Sequence, residues 1–199
     1  MKNSLLISLL GLGVLLFNTS CKSEFERIRT SGDPESILEK AHAYYDAEEY
    51  LKAQTLYELI VSSYRGRPEA EKIAYNYAYT YYNLEQYILA AYYFDNFAKT
   101  YGASQYQEEA EFMNAYSNYQ LSPVYRLDQT YTLKAIEALE EFANQHPTSD
   151  RVTECNQLID EMRQKLELKD YEASNLYFDL QQYQSAIRSY ENLLIEYPD

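Results

Sequence analysis

One short phrase recurs four times along the chain. It reads Tyr50-x-x-Ala53-x-x-x-Tyr57, Tyr87-x-x-Ala90-x-x-x-Phe94, Thr132-x-x-Ala135-x-x-x-Leu139 and Tyr183-x-x-Ala186-x-x-x-Tyr190. Its spacing marks one face of a helix. A small residue stands twelve positions before the alanine in three copies, at Ala41, Ala78 and Ser174. A tyrosine follows three later, at Tyr44, Tyr81 and Tyr177. Each copy therefore describes a pair of helices too short to bury its own apolar face. Stacked in series, such pairs share one continuous core and expose a long curved surface. The fold class that follows is all-α, a solenoid of antiparallel helix pairs. Surfaces of this kind bind far more often than they catalyse.

The small residues have a steric reason. At a helix crossing, only Ala, Gly or Ser lets the axes approach to about 8–9 Å. After each second helix stands Tyr64, Tyr101, His146 or Tyr197, with Pro147 and Pro198 closing two of the units. Small residues at the crossing, an aromatic beside them and a proline at the turn resemble the tetratricopeptide pattern. The units fall at about 33–67, 68–104, 105–148 and 149–199, and the first two are offset by 37 residues. Asp33-Pro34 predicts the first helix start, with Asp as the cap and Pro at the first helical position. No strand is expected. Gly and Pro are confined to junctions such as Arg65-Gly66-Arg67-Pro68, Gly102 and His146-Pro147.

The third unit breaks the rhythm. Its small residue is Ala115, and Ala135 comes 20 positions later instead of 12. The eight extra residues are Ser122-Pro123-Val124-Tyr125-Arg126-Leu127-Asp128-Gln129. Pro123 ends the preceding helix, so the insertion must bulge at a hairpin tip. Inserted loops often carry a specific contact. Arg126, Asp128 and Gln129 are the candidate partner-contacting residues, with capping of the neighbouring helix as the other use of the charges. Beyond Pro147, residues 149–180 read as one long helix, with the apolar series Val152, Leu158, Ile159, Met162 and Leu166. Tyr197-Pro198-Asp199 is a repeat boundary with no polar capping helix, so a further repeat is expected after it.

Residues 1–20 read as a signal peptide. Lys2 supplies a basic start, and Leu5 to Phe17 is almost wholly apolar. That stretch suits a signal core and is too short to cross a bilayer as a helix. Cys21 follows directly and resembles the lipidation site of bacterial lipoproteins, where the thiol takes a diacylglycerol and the new amino group an acyl chain. Asn18 departs from the aliphatic residue usual there. Residues 21–32 are then a lipidated tether, and attachment to the membrane rests on the acyl chains alone. With Cys21 acylated, Cys155 is the only thiol left, and it reads as a packing residue on a helix.

The formal charge is −14. Lys2 is the only charge in the leader, so the mature chain carries 31 acids against 16 bases. Nucleic acid is excluded as a partner, because binding it needs a basic face. The only histidines, His42 and His146, have no ligating neighbours at metal spacing, so neither a metal site nor a cofactor is expected. There is no Gly-rich phosphate loop and no serine elbow. Paired acids such as Glu48-Glu49 and Glu140-Glu141 read as solvated helix faces. No catalytic residue is assigned.

Taken together, these features resemble the BamD (ComL-like) family of outer-membrane assembly lipoproteins. The residues that carry the likeness are Cys21, the Ala41/Tyr44 and Ala53/Tyr57 pairs, and Arg126-Leu127-Asp128-Gln129 followed by Ala135. Met162-Arg163-Gln164-Lys165-Leu166 and then Tyr177, Tyr183, Ala186 and Tyr197-Pro198-Asp199 complete it. Tyrosine richness (24 residues, with no tryptophan) and acidity depart from the family pattern. The resemblance implies a non-catalytic, lipid-anchored protein on the periplasmic face of the outer membrane. It implies docking on the POTRA domains of the barrel subunit BamA, and recognition of unfolded β-barrel precursors. A rival reading is another periplasmic repeat lipoprotein, serving as an envelope scaffold or in glycan uptake.

In a solenoid of this type the first helix of each pair lines the concave face. The repeat register places Leu38, His42 and Tyr45 there from the first unit, and Tyr75, Tyr79 and Tyr82 from the second. The third adds Phe112, Tyr116 and Tyr119, and the fourth adds Tyr171, Asn175 and Phe178. Tyr45, Tyr75, Tyr79, Tyr82, Phe112, Tyr116 and Tyr119 are the candidate peptide-binding residues. Tyrosine offers much contact area for little lost rotamer freedom. For Tyr75 and Phe112, packing between neighbouring helices is an equal expectation.

Overall fold

The computed structural model describes residues 23–198. The segment read as a signal peptide and Cys21 lie outside the described residues. The described chain is all-helical. α1 spans Glu24–Arg29, α2 Pro34–Asp46, α3 Tyr50–Ile60, α4 Ala70–Asn83 and α5 Tyr87–Thr100. α6 spans Gln107–Gln120, α7 Thr130–Gln145, α8 Val152–Asp179 and α9 Tyr183–Glu196. Each helix from α2 onward packs on the next in sequence, so the pairs stack as a tetratricopeptide-like solenoid.

The crossings form where the small residues predict them. Ala41, Ala53, Ala78, Ala90, Ala115 and Ala135 are wholly inaccessible. Between the pairs lie the larger apolar groups, including Leu56, Ile60, Ile73, Phe94, Phe97, Phe112, Leu139, Phe142 and Met162, in one core cluster. Ile60, Phe97 and Phe142 hold the same register, seven residues after the repeat alanine, and all three are buried. Burying side chains of this size contributes roughly 1.5–3 kcal/mol each. Cys155 is buried in the same cluster, as a packing residue.

Three hairpin turns share one geometry. Glu48, Glu85 and Gln181 have φ of 59°, 58° and 61°, each five residues before its repeat alanine. The next amide reaches back to the repeat tyrosine: Glu49 N–H to Tyr44 O at 2.8 Å, Gln86 to Tyr81 at 2.9 Å, and Gln182 to Tyr177 at 2.9 Å. This is the Schellman closure, which needs a left-handed residue after the helix end. The third pair abandons it, and the insertion joins α6 to α7 instead.

At the entrance, Asp33 caps α2 through a bond from Glu35 N at 3.2 Å, with Pro34 at the first helical position. Within the segment expected as a tether, residues 24–29 form a helix. Phe25 packs edge-on against Tyr44, and Glu24 pairs with Lys40 at 2.7 Å.

Candidate functional site

The first helices of successive pairs lie side by side and form one face. On α4, Tyr75, Tyr79 and Tyr82 follow each other at i, i+4 and i+7, and on α6 so do Phe112, Tyr116 and Tyr119. The structure joins them into one aromatic band. Tyr75 stands 4.9 Å from Tyr79, Tyr79 lies 6.5 Å from Tyr82, and Tyr82 reaches Tyr116 across the helix gap at 6.3 Å, centroid to centroid. Tyr116 stacks on Phe112 and on Tyr119, each at 5.6 Å. Such contacts contribute about 0.5–1.5 kcal/mol each beyond area burial. Tyr106 extends the band, stacked on Tyr75 at 4.4 Å.

The candidates do not all reach the surface. Phe112 is only 2 % exposed, edge-on to Phe142 and with Arg151 over its ring, so it supports the band from below. Tyr75 leans on Phe97 and Tyr106 and is half-buried. Tyr79, Tyr82, Tyr116 and Tyr119 are partly open, with their inner edges on the core. Tyr45 makes its ring contacts on α3 instead, edge-on to Tyr50 and Tyr57. Burial pushes its hydroxyl up to about 12. Burial likewise raises Tyr75, Tyr79, Tyr82 and Tyr119. These hydroxyls stay neutral across the physiological range and act as donors.

The fourth register differs from expectation. The first half of α8 takes the place beside α6, and only its second half pairs with α9. Bonds between α6 and α8 keep a near-constant offset. Arg151 binds Glu109 at 2.9 Å, and Tyr119 binds Glu161 at 3.1 Å. In this register Glu154, Leu158 and Glu161 succeed Phe112, Tyr116 and Tyr119. Tyr171, Asn175 and Phe178 belong instead to the α8–α9 pair, where Tyr190 donates to Asn175. The first half of α8 has no second helix of its own to cross, so it needs no small residue. The repeat register therefore passes over it.

Carboxylates edge the band. Tyr79 donates to Glu109 at 2.9 Å, and Tyr119 donates to both oxygens of Glu161. Arg151 lies with its guanidinium carbon 4.2 Å from the centroid of Phe112 while binding Glu109 and Glu154. Arg151, Glu161 and Tyr106 were not among the sequence candidates. For Glu161 the signal is the i, i+4, i+7 continuation of the inner face onto α8, whereas Arg151 and Tyr106 stand one residue before α8 and α6, outside that pattern.

The insertion is a fastened loop. Lys169 donates to Leu127 O at 2.6 Å and to Tyr125 O at 3.3 Å, and Lys165 donates to Ser122 Oγ at 2.9 Å. Gln129, expected to face a partner, is buried. Its amide donates to Val124 O and Leu127 O at 3.0 Å, and its carbonyl accepts from Thr132. Asp128 accepts from Thr130 N at 3.0 Å and so caps α7. Its carboxyl is held below the usual range by the Thr130 hydrogen bonds. Arg126 is exposed and folds over Tyr125. Of the three, Arg126 alone remains free to meet a partner, flanked by exposed Val124 and Leu127.

A polar cleft of about 310 Å³ opens on the other side, between α5, α6 and α7. Its charged groups are already engaged: Lys99 with Asp95 at 2.7 Å, and Glu111 with Gln107 and His146. Among the described residues, no group of three or more His, Cys, Asp or Glu is placed to hold a metal ion. No described helix is long and apolar enough to cross a membrane.

These features define a helical-repeat protein with an aromatic inner face and a fastened loop at one hairpin tip. The chain belongs to the YfiO family, described as outer membrane lipoprotein, whose profile matches residues 30–199. Among curated proteins, none matches it significantly. The family associates the chain with the outer membrane and is that of the BamD-like lipoproteins.

Proposed function

We propose that this chain is a non-catalytic, lipid-anchored subunit of outer-membrane β-barrel assembly. Cys21 carries the anchor, and the repeats face the periplasm. The fastened loop, with Arg126 outermost, meets the POTRA domains of a BamA-like barrel subunit. The inner face holds extended segments of unfolded barrel precursors. The observation that carries the reading is the continuous aromatic band from Tyr75 to Tyr119, in a chain of this family. Strands of a barrel precursor alternate apolar and polar side chains. A band of ring faces edged by donors and carboxylates matches such a segment. Tyrosine supplies area at little entropic cost.

Two measurements test this. The first is capture of the native lipoprotein from detergent-solubilised envelopes, with the bound proteins identified by mass. A barrel subunit with POTRA domains is the expected companion, whereas a glycan-uptake porin in its place would overturn the proposal. The second is binding of a barrel-derived C-terminal peptide to the triple variant Tyr79→Ala, Tyr82→Ala, Tyr116→Ala. Affinity falls at least tenfold if the band is the site; unchanged affinity with intact helicity excludes it.

A further inference from the structure

Arg151 shows what this inner face accepts. Its guanidinium lies over the ring of Phe112 at 4.2 Å, with Nη2 donating to both oxygens of Glu109 at 3.0 and 2.9 Å and Nη1 to Glu154 at 3.2 Å. A ring face is electron-rich, and a carboxylate offers two oxygens at the spacing of a guanidinium. One of the chain's own residues thus fills one aromatic–carboxylate seat.

A second seat of the same composition lies further along the same two helices. Tyr116 and Tyr119 stack at 5.6 Å, and Glu161 stands at the edge of Tyr119. Glu161 enters none of the ion pairs among the described residues. The neighbouring cations are committed elsewhere: Lys165 to Ser122, Lys169 to the loop carbonyls, and Arg163 to Glu140 at 2.6 Å. Tyr119 occupies one lone pair on each oxygen of Glu161, and a carboxylate has about four. Capacity remains for a bidentate donor. Arg27, Arg29 and Lys40 lie at the far entrance, in α1 and α2.

We propose that the Tyr116–Tyr119–Glu161 seat takes an arginine side chain of a bound extended peptide, as Phe112 and Glu109 take Arg151. This rests on the reading of the inner face as a peptide-binding surface, and it adds a selection rule. The face prefers aromatic segments that carry one arginine over the same segments with a neutral or acidic residue there. The excess of acid over base in the chain acts in the same direction at long range.

The test uses two end-blocked eight-residue peptides with alternating tyrosines, identical except for one Arg→Gln change. They are titrated onto the whole chain and onto its Glu161→Gln variant. Glu161 is exposed on a helix, so the variant keeps its fold, and circular dichroism checks this. The arginine peptide is expected to bind the unaltered chain about tenfold more tightly than the glutamine peptide. In Glu161→Gln that preference collapses to under twofold, because the arginine peptide loses more affinity than the glutamine peptide does. Equal affinity of both peptides for the unaltered chain overturns the arginine seat and leaves the peptide-binding face standing. A preference that survives in Glu161→Gln overturns it too, by placing the arginine elsewhere. Failure of both peptides to bind overturns the peptide-binding face itself, and the seat with it.

Discussion

Lys169 donates to the backbone carbonyl of Leu127 at 2.6 Å and so fastens the loop that interrupts the repeat to α8. With Lys165 on Ser122 and Gln129 on two loop carbonyls, the insertion is held from both sides. A charged donor on a carbonyl contributes more than a neutral one. Lys169→Ala leaves the carbonyls to water, so its cost is local: about 1–2 kcal/mol of loop stability. Amide exchange at residues 124–128 should accelerate roughly tenfold, as about 1.4 kcal/mol implies, with α4 and α5 unchanged. Uniform acceleration across the chain would show that the clamp is global and not a loop device.

The regular pairs were legible in the sequence because packing there repeats. Ala41, Ala78 and Ala115 each face a second helix, and only a small side chain fits. The inserted loop and the long helix were legible too, from Pro123 and from the apolar series through Met162. The inner face beyond Tyr119 was not. The first half of α8 has no paired helix, so the small-residue marker is missing, and the register jumped to Ser174. Gln129 misled for a related reason. Glutamine in a polar loop looks solvated, yet here it satisfies carbonyls that the insertion takes out of helical bonding. Such a role depends on where Val124 and Leu127 turn, which no local pattern states.

Glu85 occupies left-handed backbone at φ 58°, closing the turn of the second pair. A side chain there costs about 1–2 kcal/mol, and glycine avoids that cost at some loss of unfolded-state order. Glu85→Gly should therefore stabilise the chain by roughly 0.5–1 kcal/mol, and Glu48→Gly likewise. Denaturant midpoints would rise without a change of slope. A fall in the midpoint would mean that the exposed carboxylate contributes more than its backbone strain removes.

Cys155 is inaccessible, and burial pushes its thiol up to about 11. At pH 8 only about one thiol in a thousand is ionised, and the thiolate is the nucleophile. Alkylation followed on the Cys155 peptide should run at least a hundredfold slower in the folded chain than in denaturant. Comparable rates in both would place the residue outside the core. Cys155→Ser should cost about 1–3 kcal/mol, by putting a polar hydroxyl in an apolar site.

His42 carries a pH dependence whose sign the geometry fixes. Asn76 Nδ2 donates to the Tyr57 hydroxyl at 3.2 Å, so that hydroxyl's own proton goes to His42 Nδ1 at 2.7 Å. Nδ1 must then be an unprotonated acceptor. Protonating it would leave the buried Tyr57 proton without a partner. Burial, and secondarily Lys72, lowers the pKa of His42 below its ordinary 6.5. At acid pH the unfolded chain binds this proton more readily, so stability rises with pH. The contribution of His42 is complete above about 6.5 and is lost as pH falls through the lower folded-state value. His42→Gln keeps an acceptor in reach of Tyr57 and does not titrate. Denaturant unfolding from pH 7.5 to pH 5 should therefore show the unaltered chain losing stability against this variant. Parallel pH profiles would mean that His42 is free to take its proton in the folded state, and that Tyr57 does not donate to it.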